Sequence, residues 1–377
     1  MKKKLTANLE KFIETAFSKI GDLSGKNMNL ARKKFVNLFV VGLISSRSVQ
    51  FCEIADKMDT ESDAESNLRR IQRFMADYEM DYFEFAFLLL CLIPQKGKVK
   101  LCVDRTNWEF GDQSINILVV SVFSHGAGVP VWFELLDNEG GNSDTDDRIR
   151  VLKQCVKILG KDRIAAIIGD REFIGVKWIG YLLREKIPFF MRVRQNQYLE
   201  VRGQKIKCET LMHGRHKLML DGVEIFDQSL SVAMKRLKKC TKSGKSELLI
   251  VVTNTCSAKA LTEYKNRWSI EVLFQALKKR GFDLESTHLK QLDRVRKLFA
   301  LVSLAYTLCF TFGVNENNHH KPIEVKKHGY KANSFFRTGL NCIRDFIMDR
   351  RNDLEIFLNE IFNLFSNNFM KLEKNVT

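Results

Sequence analysis

The feature that most restricts the fold is the order in which strand-like and helix-like segments follow one another between Lys98 and Lys278. KVKLCV runs into Asp104, INILVVSVFS follows, and VPVWFELL comes after a turn at Gly126–Gly128, so three antiparallel strands are expected. The turn-rich DNEGGNSDTDD then leads to a helix over Arg148 to Leu159, with Ser143, Asp144 or Thr145 available to cap it. IAAIIG is a continuous apolar run, the pattern of a strand buried on both faces, and it delivers Asp170. A second helix, about Val176 to Glu185, precedes the strand PFFMRVR. With the helix that ends near Lys278, the order β-β-β-α-β-α-β-α is that of a ribonuclease H-like core, a three-layer α/β architecture.

Either side of that core the texture differs. Residues 1–96 read as all helix, in segments near Leu9–Ile20, Ala31–Ser45, Val49–Met58, Glu65–Phe74 and Phe83–Leu92. Residues 195–255 read as a β-rich insertion, with QKIKCETL, HKLMLDG, SLSVAMKRL and ELLIVVTN separated by Gly-containing turns. Helix returns over 256–313, and a helical C-terminal region over 314–377 closes the chain. The core thus has a first part at 97–194 and a second at 256–313. At 377 residues the chain is too long for one ordinary core, which suits this division.

Charge narrows the partners. Lys and Arg number 61 against 45 Asp and Glu, a formal charge of +16, so the surface field attracts polyanions. Nucleic acid is the natural candidate, although ribosomal and membrane-surface proteins share such a balance. In SNLRRIQRFMADYEMD, Arg69, Arg70 and Arg73 alternate with apolar Leu68, Ile71 and Phe74. That suits a helix-turn-helix reader of DNA and makes 1–96 a candidate DNA-binding domain; a solvated face of a structural bundle gives the same pattern. The nine cysteines are scattered without a Cys-x-x-Cys pair and read as reduced thiols of a cytoplasmic protein. The basic N-terminus meets Glu10 and Glu14 before any long apolar run, unlike a signal peptide. Leu298 to Val314 is the most apolar stretch, but its Ser, Thr and Tyr residues favour a buried helix over a membrane span.

Three acids fall where metal-dependent chemistry needs them. Asp104 is expected at the end of the first core strand and Asp170 at the end of the fourth, its neighbour in such a sheet; Glu271 lies on the helix that follows. Hard oxygen donors of this kind suit Mg²⁺, and two such ions can activate an attacking oxygen and stabilise a leaving one. In YKNRWSIEVLFQALKK, Tyr264, Arg267, Glu271 and Lys278 fall within roughly 60° of arc on an ideal helix, beside an apolar face of Ile270, Leu273, Phe274 and Leu277. A solvated stripe with an i,i+4 Arg–Glu pair is the bland alternative. Glu172 and Glu285 compete for the third acid; Glu271 ranks first because it alone shares the stripe with Arg267 and Lys278. Glu285 and His288 read as supporting groups, and His213–His216 as a solvated turn rather than a metal pair.

The Tyr-x2-Arg-x3-Glu-x6-Lys pattern of Tyr264, Arg267, Glu271 and Lys278 resembles the signature helix of the insertion-sequence-four family of DDE transposases. VDRTNWEFG, INILVVSV, GNSDTDDR, IIGDREFIG and GFDLESTHLK add to the resemblance, which runs from about Val103 to Phe312. It implies a catalytic and metal-binding triad of Asp104, Asp170 and Glu271, using Mg²⁺ or Mn²⁺, two ions in all. It implies that Tyr264, Arg267 and Lys278 contact the DNA backbone. The implied partners are double-stranded DNA, namely transposon terminal inverted repeats and target DNA, and a second copy of the chain in a synaptic homodimer. The implied activity is cut-and-paste transposition by hydrolysis and transesterification. In relatives the β-rich insertion holds a distorted or flipped base; this chain has no Trp there, leaving Phe226 or Tyr198 to stack. Two rivals fit the same core: a nuclease that hydrolyses without strand transfer, and an inactive DNA-binding relic.

Overall fold

The computed structural model describes residues 2–110, 113–136, 141–240, 246–327 and 329–376. Gly111 of the VDRTNWEFG motif and residues 137–140 of the DNEGG turn lie outside the described residues. The chain opens with helices α1 (Lys2–Ser24), α2 (Leu30–Ser46), α3 (Phe51–Lys57), α4 (Ala64–Asp77) and α5 (Tyr82–Leu92). Side-chain caps set several of these starts: Asn29, Asp63 and Asp81 each accept a backbone N–H of the first turn of α2, α4 and α5. Helix α4 buries Ile71, Phe74 and Met75, and Phe74 stacks on Phe35 of α2 with ring centroids 4.1 Å apart. Each buried aromatic of this kind contributes about 1.5–3 kcal/mol of transfer free energy.

Strands β1 (Val99–Phe110), β2 (Gln113–Ser124) and β3 (Ala127–Leu135) form an antiparallel meander. Helix α6 (Thr145–Leu159), strand β4 (Ile164–Gly169), helix α7 (Val176–Arg184) and strand β5 (Phe189–Val193) follow. Asp144 is the cap of α6, in a reciprocal box with Asp147. Next come β6 (Tyr198–Val201), β7 (Gln204–Lys207), the short α8 (Cys208–Leu211), β8 (Lys217–Ile225), β9 (Gln228–Cys240) and β10 (Ser246–Thr253). All ten strands join one sheet in the order β3-β2-β1-β4-β5-β10-β9-β8-β6-β7. The strands of 195–255 therefore extend the core sheet across the β5–β10 pairing instead of building a separate one. Strand β4 lies between β1 and β5 and runs parallel to both, which is why IAAIIG is apolar throughout.

Asp104 does not end its strand: β1 continues to Phe110, paired with β2 from Asp104↔Val119 to Phe110↔Gln113. The extension buries Thr106 and Trp108, so residues between the two apolar runs carry on the hairpin where a loop was expected. Asp104 instead marks the point where β1 leaves β4, because their parallel pairing stops at Val103↔Gly169.

After β10 come α9 (Ser257–Tyr264), a tight 3-10 turn over Lys265–Arg267, α10 (Trp268–Leu277), α11 (Leu292–Asn315), α12 (Phe335–Ile347) and α13 (Leu354–Leu372). Helix α11 is the hub. Its apolar length would suffice to cross a bilayer, yet 94% of that window is buried inside the protein. It meets α2, α5, α12, α13 and β3, so the two helical ends of the sequence share one core with the sheet. Three of its polar side chains bond to neighbouring elements that they bury against. Tyr306 donates to the Gly128 carbonyl at 2.9 Å, Thr311 to Leu92 O at 2.7 Å, and the buried Lys297 to Met75 O at 2.9 Å. Gly313 and Gly339 let α11 and α12 cross with their backbones almost touching: a Cβ on either would collide with a carbonyl oxygen of the other segment.

Candidate active site

Strand register decides the first two acids. Val103 pairs with Gly169, so Asp104 and Asp170 project side by side where adjacent parallel strands end their pairing. Each carboxylate is fixed by its neighbour's backbone: Arg105 N donates to Asp104 Oδ1 at 2.8 Å and Arg171 N to Asp170 Oδ1 at 2.7 Å. Burial, reinforced by Asp170 and Glu172, pushes the Asp104 carboxyl up to about 6, against the opposing pull of the Arg105 N–H and Arg267.

The helical segment supplies the rest. Tyr264, Arg267, Glu271 and Lys278 were expected on one uninterrupted α-helix. The structure instead inserts the 3-10 turn between α9 and α10, and Lys278 lies just past the end of α10. In a 3-10 turn, residues three apart eclipse one another, so Tyr264 and Arg267 stack, with the guanidinium 6.0 Å from the ring centroid. Both then face the strand ends. Tyr264 donates to Asp170 Oδ1 at 3.3 Å, and Arg267 donates to Asp104 Oδ2 at 3.2 Å and to Glu271 Oε1. Cys102 Sγ, 3.4 Å from Asn266 O and 3.5 Å from Ser269 Oγ, holds the same turn against β1. Burial opposes the charge of Arg267, but the surrounding Tyr264, Glu271 and Asp170 keep it firmly protonated.

Residues 95–308, more than half of the chain, match the family described as the transposase DDE domain. The chain belongs to that family. The transposase is also similar to a solved structure, the cryo-EM structure of piggyBac transposase synaptic complex with hairpin DNA. The two are 13% identical with a TM-score of 0.44, over 96% of this chain and 82% of that one. No curated protein matches it. DDE domains generally use divalent metal ions.

The transposase's carboxylates fit such an ion in chemistry. Two crowded Asp side chains of high charge density, one with its proton affinity raised by burial, form a hard oxygen donor set that a divalent cation would neutralise. Among the described residues, however, no three acidic, His or Cys side chains stand close enough to hold one ion as they are. The register unites Asp104 and Asp170, whereas Glu271 reaches Asp104 through Arg267, whose guanidinium touches both. Electrostatics accounts for this: mutually repelling, half-buried carboxylates take the nearest cation, and here that cation is in the chain itself.

The other candidates are dispersed. Glu172 is committed elsewhere: Arg105 Nε lies 2.6 and 2.7 Å from its two oxygens, and Ser143 donates to it through N at 2.9 Å and Oγ at 2.8 Å. Lys278 pairs with Glu285 at 2.7 Å and donates to Asn107 O at 3.0 Å, so it caps the extended β1 hairpin. The arginines of α4 split up: Arg69 pairs with Glu65, Arg70 is half-buried over the Phe35 ring, and Arg73 is exposed. Helical spacing explains this, since consecutive residues 69 and 70 point about 100° apart. Tyr198 is 51% exposed at the start of β6, while Phe226 packs against the core. His213 and His216 sit exposed in the turn before β8.

Behind the acids lies a network that the motifs alone did not announce. Arg105 also donates to Asn116 Oδ1 and Asn142 Oδ1, Asn116 donates to Gly141 O, and Arg148 donates to Ser143 Oγ while lying 5.3 Å over Phe173. This lattice ties β1, β2, the start of α6 and the turn after β4 together. The signal was present in DR at 104–105 and DRE at 170–172, where each Asp is followed by a residue of the opposing pair.

Proposed function

We propose that this DDE transposase cuts DNA at the ends of its own mobile element and joins the freed 3′ ends to target DNA, on a ribonuclease H-like core formed by β1 to β5 with α6, α7 and α10. The observation that carries the reading is that Asp104 and Asp170 both follow directly on the last parallel pair, Val103 with Gly169, with Glu271 linked to Asp104 through Arg267. Asp104, Asp170 and Glu271 would hold Mg²⁺ or Mn²⁺, two ions in all, which when bound supply charge neutralisation for an in-line displacement at phosphorus.

The chain's own groups do the positioning. Tyr264 orients Asp170 through its hydroxyl. Arg267 has a planar fork suited to two phosphate oxygens, and its present carboxylate partners hold it at the site. Lys278 gives a point charge at the far end of the same segment. Double-stranded DNA, both terminal inverted repeats and target, is the substrate; two copies of the chain are expected to bring two ends together, in the bacterial cytoplasm. Tyr198 is the better placed candidate to stack on a displaced base, being the exposed one.

The test uses the full-length protein, labelled DNA carrying the element ends, and Mg²⁺ or Mn²⁺. Wild type should nick at the ends and join them to a second DNA. Asp104→Asn and Asp170→Asn should each reduce cleavage by about a thousandfold or more while retaining DNA affinity, and EDTA should abolish it. Cleavage without joining would reduce the protein to a nuclease. Full nicking by Asp104→Asn would remove the assigned site.

A further inference from the structure

One cavity of about 640 Å³ lies outside the carboxylate site, bounded by the end of α2, the end of α10 and the start of α12. Arg47, Lys279, Arg280, Lys331 and Arg337 line it, and among the described residues no Asp or Glu does. None of Arg47, Lys279, Arg280 and Arg337 makes an ion pair with a described residue, whereas the half-buried Arg105, Arg192, Arg267 and Arg351 are each matched to an acid. Arg47 is half-buried, its Nε is enclosed without a hydrogen-bond partner, and burial together with nearby Arg337 and Arg344 opposes its charge. Gathering like charges against a protein surface is unfavourable in the free protein, and an anion in the cavity would reverse that cost. The first turn of α12 adds to the field: Ser334, Phe335, Phe336 and Arg337 all line the cavity, and the α12 backbone presents its positive end there.

Position identifies the anion. Val272, Gln275 and Ala276 of α10 line the cavity, one residue round the helix from Glu271 on the carboxylate side. Helix α10 is only about 15 Å long, so a duplex at Glu271 has further phosphates within reach of the cavity. We propose that this cavity is a second binding site for the DNA phosphate backbone, gripping the element-end duplex beside the bond that the carboxylates cleave. The assignment rests on the proposed function, and it gives α2 and α12 a role that neither the acids nor the α4 arginines cover.

The experiment measures fluorescence anisotropy of a labelled element-end duplex across a salt series, with a duplex of unrelated sequence in parallel. The proteins are full-length wild type, the double variant Arg47→Gln/Arg337→Gln, and Lys279→Gln/Arg280→Gln, whose side chains are exposed. Each double variant should bind the end duplex about tenfold more weakly, with a salt slope lower by about two, while cleavage at saturating DNA stays within about twofold of wild type. Unchanged affinity and slope in Lys279→Gln/Arg280→Gln would overturn the proposal even if the other variant failed to fold. Weakening confined to the unrelated duplex would also overturn it, by making the cavity a target-DNA surface. Absence of DNA binding by wild type would instead strike the proposed function.

Discussion

Glu172→Gln separates a carboxylate that positions the site from one that takes part in the reaction. The substitution keeps shape and leaves an oxygen for Ser143, but it removes the charge facing Arg105 at 2.6 Å. At an effective dielectric of about 20, a unit pair at that distance is worth about 6 kcal/mol before desolvation is counted. Breaking a buried pair from one side costs about 3–5 kcal/mol. With the side chains 16% and 14% exposed, the lower end applies, about 3 kcal/mol. For 377 residues unfolding as one unit, the unfolding entropy is about 0.8 kcal/mol per kelvin, so Tm should fall by about 4 °C. Cleavage should slow by roughly tenfold, because the turn carrying Asp170 loses its anchor while the triad is intact. Thermal melts and strand-nicking rates on Glu172→Gln, Arg105→Gln and the double variant test both numbers. A coupling energy below about 0.5 kcal/mol between the two positions would refute the ion-pair argument. An unchanged Tm with cleavage as low as in Asp170→Asn would refute the positioning role.

Two further outcomes follow from groups away from the site. Glu84 is 1% exposed at the start of α5, and burial followed by repulsion from Asp81 lifts its carboxyl from 4.5 to about 7. Its folded value lies above the unfolded one, so stability is highest when both states are protonated and falls as pH rises from about 4.5 to about 7. Glu84→Gln should therefore melt higher than wild type at about pH 8, by up to about 3 kcal/mol, and alike near pH 4.5; a constant gap at both would exclude the titration. Gly339→Ala should cost about 3 kcal/mol, since the new methyl meets the Cys309 carbonyl; a Tm within about 1 °C of wild type would show that α12 can move aside.

Periodicity and motif order carried much of this protein. Apolar runs such as IAAIIG announced a doubly buried strand, alternation announced the meander, and the acids with their flanking residues pointed to a DDE transposase before any contact was visible, because these signals are local in the chain. Local pattern could not say that residues 195–255 extend the core sheet, since pairing between β5 and β10 joins segments more than fifty residues apart. It could not foresee the 3-10 turn that eclipses Tyr264 and Arg267, or Glu172 leaving the acids to bind Arg105. Nor could it show Arg267 between Asp104 and Glu271. Those are choices among partners of similar chemistry, and only the three-dimensional packing, by fixing which charges share a dry space, decides them.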